Sequence, residues 1–220
     1  MNTLRSNAPV QWAGNSRLLM ATKRGMDIVM ASCFFLFLGW VYALVWLGVR
    51  LTSGGPAIYK QPRYGRDGRV FSFYKFRSMV ADSDAVLARH LRENEEARRQ
   101  WDMYQKLEHD PRITPFGAFL RKYSLDELPQ FWNVLKGDMS MVGPRPCMFS
   151  QKDLYGPYWG HYCSVRPGIT GLWQVSGRSE VSYRRRAAMD ADYVATLSLR
   201  QDIVILLKTF LVVAGAKGSG

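Results

Sequence analysis

Two adjacent carboxylates, Asp126 and Glu127, stand between Leu125 and Leu128 in the stretch SLDELPQ at 124–130. Pro129 and the aromatic pair Phe131 and Trp132 follow, and a basic, turn-rich segment, KGDMSMVGPRP, occupies 136–146. Acids flanked by apolar residues and trailed by bases point to a site rather than to a solvated face. Local physics leaves two readings open. In one, Ser124 and Glu127 form a capping box ahead of a helix carrying Leu128, Phe131, Trp132 and Leu135. That register puts Pro129 inside the helix, where its missing N–H and its ring both cost stability. In the other, Asp126 is the N-cap and Pro129 sits in the first turn, where the absent donor is not needed. Both carboxylates then lie at the positive end of the helix dipole, which favours their ionised form. Such a pair is either a plain cap or a Mg²⁺ ligand set or nucleophile, and spacing alone does not choose.

The elements that must position this pair are read from the rest of the chain. Its 220 residues suit one catalytic-sized domain with an appendage. With 30 Lys and Arg against 18 Asp and Glu, the net charge of +12 implies an anionic partner: nucleic acid, a phosphorylated substrate or anionic lipid. Cys33, Cys147 and Cys163 have no metal-ligand spacing, which points to a reducing compartment without a disulfide framework or structural zinc. His90, His109 and His161 are scattered, with no Cys or Ser nearby to suggest a triad.

Residues 1–22 read as a basic N-terminal arm. A run of 22 uncharged, mostly apolar positions follows at 28–49. As a helix it would be about 33 Å long, enough to cross a hydrocarbon core of about 30 Å. Its C-terminal flank carries Arg50, Lys60, Arg63, Arg66, Arg69, Lys75 and Arg77 against the lone acid Asp67, and its N-terminal flank is basic too. Basic flanks belong on the cytoplasmic side, so a re-entrant helical hairpin over 23–51, with Gly39 as a bend point, fits better than a straight span. Short strands are expected around the Gly-Arg-Asp-Gly turn at 65–68. This basic, aromatic-interleaved stretch also has the composition of a nucleic-acid surface, though its place beside the membrane segment favours lipid head groups or a phosphorylated substrate. Residues 80–107 read as a solvated helical face with i,i+4 ion pairs. Residues 109–123 read as a turn and a short helix, and 155–178 as a loop-dominated surface rich in Gly and aromatics, in which Trp159 and Trp173 are alternatively core, the core being favoured for Trp173. An amphipathic helix is expected over 182–200. The apolar run 203–214 is too short to span a membrane and reads as an interfacial or core-packing helix. The fold class is thus mainly α with a small β component: the membrane hairpin, a catalytic domain over 52–220, and interfacial amphipathic helices.

Taken together, KRGMD (23–27), SGGPAIYKQPRYG (53–65), FYKFRSM (73–79), DPRIT (110–114), LRKYSLDELPQFWNVLKGDMSMVGPRP (120–146), RPGITGLWQVSGR (166–178) and the DIVILLKT tail occur in a telling order. The chain resembles the bacterial sugar transferases that prime glycan assembly, the monotopic phosphoglycosyl transferases, in their short form. The resemblance implies transfer of a hexose 1-phosphate from a nucleotide diphospho-sugar, of uridine by the family's common theme, to polyprenyl (undecaprenyl) phosphate, with release of a nucleoside monophosphate. It implies Asp126 as nucleophile, Glu127 with Asp126 as ligands to Mg²⁺, and a covalent phosphosugar–aspartyl intermediate. Lys75, Arg77, Arg112, Arg145, Arg166 and Arg178 become candidate phosphate contacts, and Asp138 a structural or polar site residue. The implied partners are the nucleotide-sugar donor, the polyprenyl phosphate acceptor, membrane lipids and downstream glycosyltransferases. The resemblance is compatible with a homo-oligomer and gives nucleic acid no role. The implied location is the bacterial inner membrane, with the catalytic domain facing the cytoplasm. One departure stands out: members carry a Pro near the middle of the membrane helix, and here there is none between positions 10 and 55. The competing readings are a catalytically inactive membrane scaffold for polysaccharide assembly and a basic, membrane-tethered binder of nucleic acid or lipid.

Overall fold

The computed structural model describes residues 16–104, 107–176 and 181–215. Most of the expected N-terminal arm lies outside the described residues, and residues 16–22 are already helical. Helix α1 (Ser16–Thr52) runs for 37 residues. Nothing breaks its run at Gly39, and a Cβ added there would meet nothing within 4 Å, so the segment expected as a re-entrant hairpin is assigned as one helix.

Helix α1 has two stripes at helical spacing. The inner one, Ala31, Phe34, Val45 and Val49, is buried against the body of the protein, whereas Val29, Leu36, Phe37, Trp40, Leu44, Leu47 and Leu51 are exposed. The contacts run almost the whole length of the helix. Near its N-terminus, Lys23 Nζ donates to Val142 O at 2.9 Å and pairs with the buried Asp202 at 2.5 Å. One turn on, Asp27 Oδ1 accepts from Met141 N at 2.9 Å and Ser140 Oγ at 3.0 Å. In the middle, Phe34 stacks on Phe131 with ring centroids 3.9 Å apart. Towards the C-terminus, Val45 and Val49 join Ala57, Phe76 and Leu120 in a core cluster against which Leu125 and Leu128 pack.

Strands β1 (Ile58–Tyr64) and β2 (Val70–Phe76) form an antiparallel hairpin in which Ile58 faces Phe76 and Tyr64 faces Val70. Its turn needs left-handed backbone at Asp67 (φ 58°) and Gly68 (φ 70°); a short polar residue followed by glycine meets that need. Helices α2 (Ser83–Glu93) and α3 (Glu95–Tyr104) carry the polar segment. Helix α4 (Pro115–Lys122) is N-capped by Thr114, which accepts from Gly117 N. Helix α5 (Gln130–Lys136) leads through Gly137 to β3 (Ser140–Val142), which pairs in parallel with β4 (Gly168–Thr170). Gly143 ends β3, and a Cβ there would lie 2.5 Å from Arg166 O, so only glycine allows this close pairing.

Residues 155–176, the described part of the segment expected as a surface loop, depart from that expectation. Short helices α6 (Lys152–Tyr155), α7 (Trp159–Cys163) and α8 (Leu172–Ser176) pack under α9 (Tyr183–Ala195), and Tyr155, Tyr162 and Val165 are buried, together with Trp173, which was expected in the core. The tyrosines tolerate burial because their hydroxyls are bonded inside: Tyr162 donates to Tyr64 O and Tyr155 to Asp190 Oδ2 at 2.9 Å. Helix α10 (Leu199–Ala214) buries Asp202 and Ile205 and leaves Ile203, Leu207, Phe210 and Leu211 exposed.

Candidate active site

Asp126 and Glu127 lie in a single 3₁₀ turn, Leu125–Glu127, between α4 and α5. Neither capping arrangement forms. Ser124 sits in the left-handed region at φ 56° with no side-chain cap, and α5 starts after Pro129, also without one. A non-glycine residue held there is strained, of a kind that gathers at functional sites. The effect is to turn both carboxylates away from helix N–H groups and towards β2.

There they meet Lys75. Its Nζ lies 3.1 Å from Asp126 Oδ2 and 2.9 Å from Glu127 Oε1, bridging the two acids, and Arg145 Nη2 reaches the same Glu127 oxygen at 3.3 Å. Burial works to raise Glu127, but the charges and hydrogen bonds of Lys75 and Arg145 outweigh it and hold the group at about 2. Lys75 comes from β2 and Arg145 from the loop after β3. The two backbones are held in place by Asn133, which accepts from Tyr74 N at 3.1 Å and donates to Ser72 O at 2.7 Å, and by Asp27 under β3.

The remaining predicted residues divide. Arg112 makes a bidentate pair with Asp110, the closest contact 2.7 Å, and lies 5.0 Å from the Trp101 ring centroid. Arg166 Nε donates to Gly137 O at 2.8 Å, and with Arg24, bonded to Val134 O and Leu135 O, it closes the C-terminus of α5. Arg77 bonds Pro56 O at 2.9 Å and stacks over Tyr59. Asp138 pairs with Lys136 at 3.1 Å. The structure does not join any of these four to the dyad by a hydrogen bond. Arg178 lies outside the described residues. Arg121, not singled out from sequence, is part-buried, donates to Ser78 Oγ at 2.9 Å, and lies near enough to Asp126 to feel its charge. An arginine five residues before the dyad was the only signal for it.

Among the described residues, no three His, Cys, Asp or Glu side chains gather as metal ligands. That suits Mg²⁺ nonetheless, because Mg²⁺ is commonly held by one or two carboxylates with substrate phosphates and water completing the shell. Lys75 and Arg145 occupy Asp126 Oδ2 and Glu127 Oε1, and no hydrogen bond from the described residues occupies the other oxygen of either carboxylate.

Known proteins resemble this chain along most of its length. The family model described as bacterial sugar transferase matches residues 18–216. Over 197 residues the chain is 43% identical to the exopolysaccharide production protein ExoY of Rhizobium meliloti, covering 90% of this chain and 87% of that one. It is 47% identical to the undecaprenyl-phosphate galactose phosphotransferase of Salmonella typhimurium over 90% of this chain. It is 39% identical to the UDP-glucose:undecaprenyl-phosphate glucose-1-phosphate transferase of Escherichia coli, again over 90% of this chain. The chain spans only 41% and 40% of the length of these last two relatives. With its motifs matched from end to end and its two carboxylates clamped between Lys75 and Arg145, the chain belongs to the bacterial sugar transferase family.

Proposed function

We propose that the chain transfers a hexose 1-phosphate from a uridine diphospho-sugar to undecaprenyl phosphate, the priming step of an exopolysaccharide. The observation that carries this reading is the meeting of Asp126, Glu127, Lys75 and Arg145 from three separate elements in one half-buried site. The relatives' names supply the substrate class.

In this reading an Asp126 oxygen attacks the sugar-proximal phosphorus. The new O–P bond forms as the bridging P–O bond to the nucleotide breaks, and the nucleoside monophosphate leaves with the bridging oxygen. A phosphate oxygen of the polyprenyl acceptor then attacks the same phosphorus. The aspartyl O–P bond breaks, the polyprenyl diphospho-sugar departs, and Asp126 is restored. Phosphoryl transfer is chiefly positioning and charge neutralisation. Lys75 offsets the mutual repulsion of the two acids, and Arg145 attracts the anionic donor. Asp126 and Glu127 would hold Mg²⁺, which when bound neutralises diphosphate charge.

Both ends of α1 touch the same body, and both its flanks are basic. This supports a topology in which the catalytic domain and both ends of the helix face the cytoplasm, where nucleotide sugars are made. The test is to incubate purified protein in lipid particles with Mg²⁺, undecaprenyl phosphate and a panel of nucleotide diphospho-sugars, and to follow nucleoside monophosphate. Release with one donor is expected, dependent on acceptor and reduced about a thousand-fold or more in Asp126→Asn. Release of nucleoside diphosphate would sink the scheme, and silence across the panel would favour a scaffold.

A further inference from the structure

Arg63 of β1 is a part-buried cation without an anion among the described residues. Its Nη1 donates to Pro146 O at 3.1 Å and its Nη2 to Gln61 Oε1 at 2.7 Å, while its Nε is sealed from solvent with no partner. The guanidinium lies 5.3 Å from the Phe73 ring centroid. Among the described residues it makes no ion pair. Burial first, and then the neighbouring Arg145, pull the group down to about 10. Two guanidiniums side by side in a part-buried site are costly unless an anion joins them. Lys75 and Arg145 take up Asp126 and Glu127, and no carboxylate among the described residues pairs with Arg63. Each arginine keeps Nη hydrogens that no described residue accepts, and paired guanidinium forks match phosphate oxygens better than any other common anion.

We infer that Arg63, with Arg145, holds the phosphate of the nucleoside monophosphate that is expelled when Asp126 attacks the donor. This rests on the transfer proposed above. The direction follows from the packing. The dyad turn meets α1 through Leu125 and Leu128, which is the side a lipid acceptor must approach. Arg63 lies on the other side, bonded beside Cys147, whose cluster of Tyr155, Tyr162, Ala187 and Tyr64 contains no residue of α1. The nucleotide thus binds along the β1 side of the dyad and the polyprenyl phosphate along the α1 side.

The experiment measures product inhibition by uridine 5′-monophosphate during turnover of the best donor, with full-length wild type, Arg63→Gln and Arg63→Lys in lipid particles. Arg63→Gln is expected to raise the inhibition constant roughly ten- to a hundred-fold, and Arg63→Lys less, with the KM for undecaprenyl phosphate unchanged in both. A thermal melt of each variant checks that it is folded; should Arg63→Gln fail it, Arg63→Lys alone still reads the effect, since it keeps the charge and loses the fork. If Arg63 merely braced the Pro146 loop, both variants would lose kcat while inhibition by uridine monophosphate stayed put, and that result overturns the inference while leaving the transfer reading intact. A wild type that releases no nucleoside monophosphate from any donor overturns both.

Discussion

Lys75 is what allows Asp126 and Glu127 to share one small volume. It lies within 3.1 Å of one acid and 2.9 Å of the other, and its side chain is 23% exposed, so water screens the contacts only partly. Glu127 is held at about 2 against an ordinary 4.5. A depressed acid contributes stability that is present above its unfolded value and is lost as pH falls through its folded value, here between about 4.5 and 2. Glu127 is therefore ionised throughout the neutral range. Lys75→Gln removes the strongest of the charges that lower Glu127, leaving burial and the adjacent Asp126 to push it upward. The acid limb of the donor-turnover profile should then move to higher pH by about a unit or more relative to wild type, together with a lower plateau rate. Profiles of both proteins from mildly acidic to neutral pH check this. A lower plateau with an unmoved limb would mean that Lys75 contacts substrate without setting the ionisation of the dyad.

At the scale of elements, the pair Lys23–Asp202 ties α1 to α10, and Val142 O of β3 accepts from Lys23 and from Tyr193, whose hydroxyl also lies 2.7 Å from Asp202 Oδ1. Asp202 is fully buried and Lys23 nearly so. Breaking such a pair from one side strands a charge and costs about 3–5 kcal/mol, whereas replacing both partners by apolar residues is far milder. Asp202→Asn should lower the melting temperature by roughly 6–15 °C, and the double variant Lys23→Met with Asp202→Leu should recover part of that loss. A double variant as unstable as the single one would show that the packing here, rather than the pair, matters. Neither partner could be matched to the other from sequence, because 179 residues separate them. What was legible was local: the β1–β2 turn announced itself through Gly-Arg-Asp-Gly, and α1 through its uninterrupted apolar run. The dyad was legible as a chemistry but not as a geometry. Pro129 argued for a cap, while the chain instead uses a strained Ser124 to aim both acids at Lys75, 51 residues upstream of Asp126. Arg112 and Arg166 look the same in sequence as Arg145, since an arginine beside a turn does not reveal whether it meets a ligand, a carboxylate or the end of a helix. The segment 155–178 was misread for a related reason: Gly and aromatic content resembles a surface unless the tyrosine hydroxyls are known to be satisfied inside.

At the scale of the whole molecule, the helix and the body constrain how the protein sits in a bilayer. Contacts along α1 extend from Lys23 to Val49, about 39 Å at 1.5 Å per residue, which exceeds a hydrocarbon core of about 30 Å. A helix crossing the membrane upright could keep all of these contacts only if the catalytic body, with its buried Lys23–Asp202 pair and its dyad, were sunk through the bilayer alongside it. The exposed residues argue for another arrangement. Only 17% of the most apolar stretch of α1 is buried, and its free stripe of Leu36, Phe37, Trp40, Leu44 and Leu47 is matched by Leu207, Phe210 and Leu211 on α10 and by Trp132 beside the dyad. Of these, Trp132 lies against Phe35 of α1 with ring centroids 6.4 Å apart, and this apolar surface is where the proposed acceptor lipid would reach the dyad. In the proposed topology, then, the two ends of α1 emerge on the same, cytoplasmic face. Single cysteines at Arg17 and Leu51, both exposed, on a background with Cys33, Cys147 and Cys163 replaced by alanine, test it. A membrane-impermeant maleimide should modify both positions in inverted vesicles and neither in intact cells. Labelling of the two positions from opposite sides would establish a through-going helix, and the contacts at one end of α1 would then have to break in the bilayer.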